Sequence, residues 1–346
     1  MRKRTILILS FVPVYAVFFG ELFLRIFDPV PILPRYVKAM AYGIRGNSEN
    51  MSYWHRTAEY DIEIRTNSRG IRADSEISYK KPEGVKRIVL LGDSFGMGYG
   101  VDLDDSFAAQ IVEHLEVELN QPVELVNLST SGHGNAEELI VLREVGFRYD
   151  PDLVLLSWHA SDLEDNVRSG LFKLKAEELE EAASEYLPAM KTREFLLSFA
   201  AYRFLVEHSH AYTFVREEFA RFVKAAMLVL KSNSELSRET AEALPSAEAL
   251  SIALLERVNK ECELREISFL LVEVPLRSSR KKFVSAFPTD FMELSYPAFS
   301  PLSLFDEYAG SEKLYWERSH GHYTPLGCEI VGAGIAEAIL REGLLK

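Results

Sequence analysis

Residues 92–95 read Gly-Asp-Ser-Phe and directly follow an apolar run, Ile88 to Leu91. A serine hydroxyl in a tight, glycine-flanked turn at the carboxyl end of a strand is where the nucleophile of acyl transfer belongs. The turn exposes the hydroxyl, and backbone N–H groups at the start of the next segment can receive a developing oxyanion. A serine between strand and helix also serves as a cap or turn residue, so the tetrapeptide alone leaves both readings open. Histidine is the other group suited to proton transfer near neutral pH. His133 and His159 fall at expected strand ends, where they could contact a substrate or only satisfy local hydrogen bonds. With His320 and His322 they lack the spacing of a zinc site, so no metal is expected, and nothing in the sequence calls for a cofactor. Asp93, Asp162 and Asp165 suit helix caps and loop braces better than catalytic titration.

A nucleophile so placed needs a sheet behind it. The unbroken run at 86–91 marks a strand covered on both faces. Periodicity then predicts a helix over about 106–119, a strand at 123–127, a helix over about 135–148, strands at 153–157 and 268–274, and a last helix over about 326–340, after Pro325. Alternating strands and helices imply right-handed crossovers and a parallel sheet with helices on both sides, which gathers ligands beyond the strands' carboxyl ends. Gly92 to Gly96 also fits the Gly-x-Ser-x-Gly elbow of the α/β-hydrolases. That elbow lies in mid-sheet after several strands, whereas here it comes after the first one. A helical insertion over about 170–250 interrupts the sheet, with an acidic helix expected at 177–185 and amphipathic stretches at 194–207 and 211–231. These helices suit an ordinary packed domain, a lid over the site, or a platform against a bilayer.

Five segments, in order, resemble the SGNH/GDSL hydrolase family, in particular its membrane-anchored members. Thr66-Asn67-Ser68-Arg69-Gly70-Ile71-Arg72 is similar to a segment that precedes the nucleophile. Leu91 to Phe95 resembles the serine block, Asn127 to Asn135 the glycine block, Pro151 to Asn166 the third block, and Gly321-His322-Tyr323-Thr324-Pro325-Leu326-Gly327 the histidine block. The likeness covers about 60–166 and 268–340. It implies a three-layer α/β/α, flavodoxin-like parallel sheet, with Ser94 as nucleophile and His322 as its base. It also implies an oxyanion hole from the N–H groups of Ser94 and Gly132 with a side chain at 161. Two positions depart from the pattern: Ser161 stands where an asparagine is expected, and Ser319 and His320 where an aspartate would orient the imidazole. Glu317 is the nearest preceding acid. Asn67 and Arg72 are candidates to buttress the active-site loop.

The termini and composition set the context. Arg2, Lys3 and Arg4 precede an apolar run through Phe27, which reads as a signal anchor if Glu21 and Arg25 lie near the far interface; a cleaved signal peptide fits the same pattern. Retained basic residues place the rest of the chain, beyond Asp28, on the extracytoplasmic side, periplasmic or extracellular. The expected organisation is an anchor at 1–28, a linker at 29–59 and a hydrolase-like domain at 60–346. A net charge of −13 argues against a nucleic-acid or anionic-membrane surface for the folded part unless a basic stripe breaks the average, and no such stripe is expected. Cys262 and Cys328 read as buried free thiols, with one bridge between them left open. Two functions fit: a serine esterase or O-acyltransferase acting on an acylated glycan or other ester, and a weak or inactive relative that binds a glycan or an assembly partner through the same cleft.

Overall fold

The computed structural model describes residues 2–27, 30–232, 236–279, 282–319 and 321–345. Helix α1 (Arg2–Phe27) is followed by short strands β1 (Val37–Ala39), β2 (Arg45–Asn47), β3 (Ser52–Arg56) and β4 (Asp61–Arg65). Then come β5 (Lys86–Gly92), α2 (Phe107–Leu119), β6 (Val123–Asn127), α3 (Asn135–Glu144), β7 (Leu153–His159) and α4 (Ser161–Ser169). A hairpin of β8 (Phe172–Lys175) and β9 (Glu178–Glu181) leads to helices α5 (Met190–Leu197), α6 (Ala200–His208), α7 (His210–Ser232) and α8 (Leu236–Glu263). The chain closes with β10 (Ser268–Val274), β11 (Leu276–Ser279), β12 (Lys282–Val284), β13 (Ala298–Phe299), α9 (Leu302–Glu307) and α10 (Pro325–Arg341). It divides into two compact units: Tyr36–Ser52, Ile64–Met190 and Ala241–Lys346 form the larger, and Met1–Arg35, Tyr53–Glu63 and Lys191–Thr240 the smaller.

The larger unit is built on a five-stranded sheet in the order β13-β10-β7-β5-β6, parallel throughout. Alternate residues of each strand face opposite ways, and both faces are apolar. Leu90, Leu155 and Leu270 join Ile111 and Leu115 of α2 and Val331, Ile335 and Ile339 of α10 in one core. Leu91, Leu156 and Leu271 join Leu139 and Leu142 of α3 and Leu254 and Val258 of α8 in the other. Continuous apolar runs are what a strand between two helical layers requires, and the three-layer α/β expectation holds. Cys262 and Cys328 are buried free thiols, both pushed up to about 12 by burial.

The structure departs from the sequence reading in places. Residues 29–59, expected as a linker, contain β1, β2 and β3. The stretch expected as an acidic helix belongs to the β8–β9 hairpin. Leu174 pairs with Leu179, and Ala176 and Glu177 both take the left-handed conformation that a two-residue hairpin turn demands. Its repeated glutamates favour a helix by propensity, but the cross-strand pairing and the burial of Phe172 win.

In the smaller unit, α1 packs against α7. The Glu21 carboxylate accepts from the backbone N–H groups of His210 and Ala211, at 3.2 and 2.8 Å, and from the Ser209 hydroxyl at 2.8 Å, capping the start of α7. Among the described residues no helix is long and apolar enough to cross a membrane. The side chains of residues 1–14, which carry much of the expected anchor, lie outside the described set.

One buried charge tests the sheet. Arg87 on β5 has no exposed surface; its guanidinium donates to Glu124 at 2.7 Å and to the carbonyls of Tyr149 and Tyr79 at 2.7 and 3.0 Å. Arg87→Ala strands these acceptors and is expected to cost about 3–5 kcal/mol in urea unfolding. Glu124→Gln, which keeps an acceptor for the guanidinium but removes its counter-charge, should cost less than Arg87→Ala because the carbonyls of Tyr149 and Tyr79 keep their donor. Equal losses would contradict this account.

Candidate active site

At the end of β5 the chain turns sharply. Asp93 Oδ1 accepts from the Phe95 N–H at 2.8 Å, and the N–H groups of Met97 and Tyr99 return to the carbonyls of Asp93 and Ser94, both at 3.0 Å. The turn presses on its neighbours. A Cβ at Gly96 would lie 2.4 Å from Ser129 Oγ, so only glycine fits there. Arg72, almost fully buried, reaches across with Nη1 to the Met97 carbonyl at 3.0 Å and the Gly98 carbonyl at 2.5 Å, and with Nη2 to Val101 at 2.7 Å. Arg72 therefore buttresses the serine loop. Asn67 instead organises its own turn, accepting from the N–H groups of Arg69 and Ile71.

The glycine loop after β6 is stitched to the serine loop. Leu128 and Thr130 donate to the carbonyls of Leu90 and Gly92, at 2.8 and 3.0 Å, and the Asn127 side chain donates to the Gly96 carbonyl at 2.7 Å. Gly132 adopts φ +77°, a left-handed conformation that favours glycine. Its carbonyl accepts from the Arg45 guanidinium, and Asn47 Nδ2 donates to Ser129 O at 3.1 Å. Both residues come from β2, in the stretch expected as a linker, and no sequence signal marks them. Among the described residues no acceptor meets the N–H of Ser94 or of Gly132, which leaves both free for an oxyanion.

The histidine block closes the site from the far end of the chain. Trp316 Nε1 donates to the Gly100 carbonyl at 2.9 Å, the Trp316 N–H to the His322 carbonyl at 2.8 Å, and Thr324 caps α10 by accepting from Gly327 at 3.1 Å. His322, largely buried, stacks on Phe95 with ring centroids 4.6 Å apart. Its Nε2 lies 2.8 Å from Ser94 Oγ, across 228 residues of sequence. That is hydrogen-bond reach, the separation proton transfer needs. Glu317 forms an ion pair with Lys313 at 3.0 Å, and Ser319 is fully buried. His320 lies outside the described residues.

The other histidines differ from one another. His133 is buried with Nε2 2.8 Å from the Arg45 carbonyl, and burial, aided by the Arg45 charge, lowers it to about 3. It is a neutral brace for the glycine loop. His159 is partly open and packs, tilted, against the same Phe95, with centroids 5.0 Å apart. Gly92 pairs with Ser157 in the sheet, so the serine turn and His159 follow from the carboxyl ends of adjacent strands. His159 Nδ1 accepts from the Ser161 N–H at 3.2 Å and meets the Ser161 hydroxyl at 2.8 Å. The hydroxyl of Ser161 is thus engaged with the imidazole. Burial lowers His159 to about 4.

Beneath the site lies a buried polar network. Asn135 Nδ2 donates to Glu138 at 3.1 Å and to Asp162 at 3.0 Å, and Asp162 also accepts from the His159 N–H at 3.2 Å. Burial first, and then repulsion from neighbouring carboxylates, raise Glu138 and Asp162 well above the usual carboxylate range. Asp93 and Asp162 act as braces here, and Asp165 forms an ion pair with Arg168. Among the described residues no cluster of histidine, cysteine and carboxylate groups is arranged to hold a metal ion.

No protein-family model and no curated protein matches the chain. Solved structures similar to it include an acetylxylan esterase from Geobacillus stearothermophilus, at 14% identity over 74% of this chain and 93% of that one, with a TM-score of 0.39. A lipase from a goat rumen metagenome is similar at 15% identity over 73% and 97%, TM-score 0.38. A two-domain esterase active on acetylated mannans is similar at 12% identity over 74% and 49%, TM-score 0.41. Likeness at this level carries no argument about chemistry, which rests on the residues themselves.

The carboxyl pair sets a pH dependence. The unfolded chain releases the Glu138 proton near 4.5 while the folded chain keeps it to higher pH, so this contribution to stability is complete below that value and is lost as pH rises through the folded one. Glu138→Gln should flatten the decline in unfolding free energy as pH rises above about 4.5. An unchanged slope would place the proton elsewhere.

Proposed function

We propose that this chain is a serine esterase or O-acyltransferase of the SGNH/GDSL kind. It acts outside the cytoplasm on an acylated glycan or related ester, and α1 holds it to a membrane. The contact between Ser94 and His322 carries this reading. Ser94 Oγ attacks the acyl carbonyl as its proton passes to His322 Nε2, and the N–H groups of Ser94 and Gly132 receive the oxyanion. His322 returns the proton to the departing alkoxide. Water or an acceptor hydroxyl then attacks the acyl-serine, giving up its proton to the same nitrogen. The basic residues 2–4 ahead of the apolar run support the cytoplasmic placement of the N-terminus.

His159 completes the site in this reading. Its Nδ1 is the acceptor of the Ser161 N–H, so its ring proton sits on Nε2, and burial keeps the ring neutral at pH 7. A neutral N–H on a ring that packs against Phe95, the neighbour of Ser94, supplies the third donor, the role that the resemblance assigns to position 161, with Ser161 setting the tautomer. One observation favours the second reading, a weak or inactive glycan-binding relative: the Ser161 hydroxyl is bound to His159 rather than directed at the nucleophile.

A fluorophosphonate probe should label the folded protein at Ser94 and leave Ser94→Ala unlabelled; folded protein that resists the probe sinks the enzyme reading. His322→Ala should lower kcat on an activated acetyl ester by about 10³–10⁴. His159→Phe, which preserves the packing against Phe95, should lower kcat by about 10² with little change in KM. An unaltered kcat there would remove His159 from the oxyanion site.

A further inference from the structure

The two units differ in how they treat apolar side chains. In the larger unit the exposed large apolar residues are four scattered ones, Val117, Val167, Leu264 and Met292, among the described residues. In the smaller unit they cluster along α1 and along α5–α7 and are mostly aromatic. Phe195, Phe199, Phe204, Phe214, Phe219 and Phe222 of the α5–α7 segment are each between 43% and 68% exposed. On α7, Val215, Phe219 and Phe222 recur at the spacing of one helical stripe, which in a packed domain faces the core, and here all three face outward. Phe18, Phe19, Phe23 and Phe27 of α1, in the same unit, are exposed as well. An apolar surface of this kind marks an interaction site.

Charge selects the partner. Residues 190–232 carry seven lysines and arginines against four glutamates, in a chain whose net charge is −13. A basic segment with an outward phenylalanine face, in an otherwise acidic protein, has the composition of helices that bind anionic lipid. We infer that the aromatic face of α5–α7 is a lipid-contacting surface, which binds the smaller unit to an anionic bilayer in addition to any anchoring by α1. The phenylalanine rings enter the acyl boundary and the arginines and lysines meet the headgroups.

The test uses the full chain carrying F195W, F204W or F219W, with V117W and L264W on the larger unit as controls, added to vesicles of equal phosphatidylcholine and phosphatidylglycerol with brominated acyl chains. Fluorescence of the three smaller-unit variants should be quenched at least about twofold more than that of the controls. Quenching no greater than in the controls overturns the inference, and if the protein then sediments as a dimer in detergent, the face belongs to a second copy. Vesicles of phosphatidylcholine alone should quench less. Equal quenching would overturn the electrostatic part of the proposal. Alkaline carbonate extraction reads α1 separately, so loss of the anchor and loss of the aromatic contact are distinguishable.

Discussion

A hydrogen bond of 2.8 Å between Ser94 and His322 is the contact on which the site depends, and neither partner is held by its own segment alone. Ser94 lies on a turn whose carbonyls are gripped by the Arg72 guanidinium. His322 lies on a loop pinned to the same turn by Trp316 against Gly100. Gly100, at φ +92°, has no room for a Cβ, which would sit 2.8 Å from that indole nitrogen. The two loops therefore share a scaffold, so the serine–histidine separation is fixed by side chain to backbone bonds rather than by the two side chains seeking each other. A pair held in this way loses little freedom when an acyl group arrives.

The same economy runs through the layer below. The buried acids Glu138 and Asp162 would be costly in an apolar core unless bonded or neutralised. Here Asn135 bridges them, and its carbonyl accepts from Ser251 at 2.7 Å, whose hydroxyl in turn accepts from Trp158 at 3.0 Å. Through this chain α3, α4, α8 and β7 are tied to one another directly under the third block. The carboxyl pair bridged by Asn135 is a hydrogen-bonding element, and Asp162 holds the backbone of His159 from beneath.

Much of the scaffold is legible in the sequence because its signals are local. The strand Ser268–Val274 is an unbroken apolar run bounded by polar residues, and its observed limits are the expected ones. Thr324-Pro325 marks the start of α10 by cap and first-turn proline, and the serine turn is announced by the strand before it. The illegible part is tertiary. Arg45 and Asn47 act on carbonyls more than eighty residues away, and a side chain that donates to a distant backbone leaves no periodic trace. The acidic stretch at 177–185 satisfies helical composition, yet two left-handed residues and one buried phenylalanine decide for a hairpin.

The division of roles between the histidines comes from their surroundings, not from their place in a motif. His133 and His159 occupy similar positions at loop ends, and burial lowers both. His133 spends its Nε2 on the Arg45 carbonyl and is enclosed, so it can only brace. His159 spends Nδ1 on Ser161, which leaves its other nitrogen directed away from that partner, on a ring that contacts Phe95 beside the nucleophile. Ser161 and His159 are best understood as one unit. A shorter side chain at 161 cannot extend as far as an asparagine, and its contact with the imidazole holds that ring in a single tautomer.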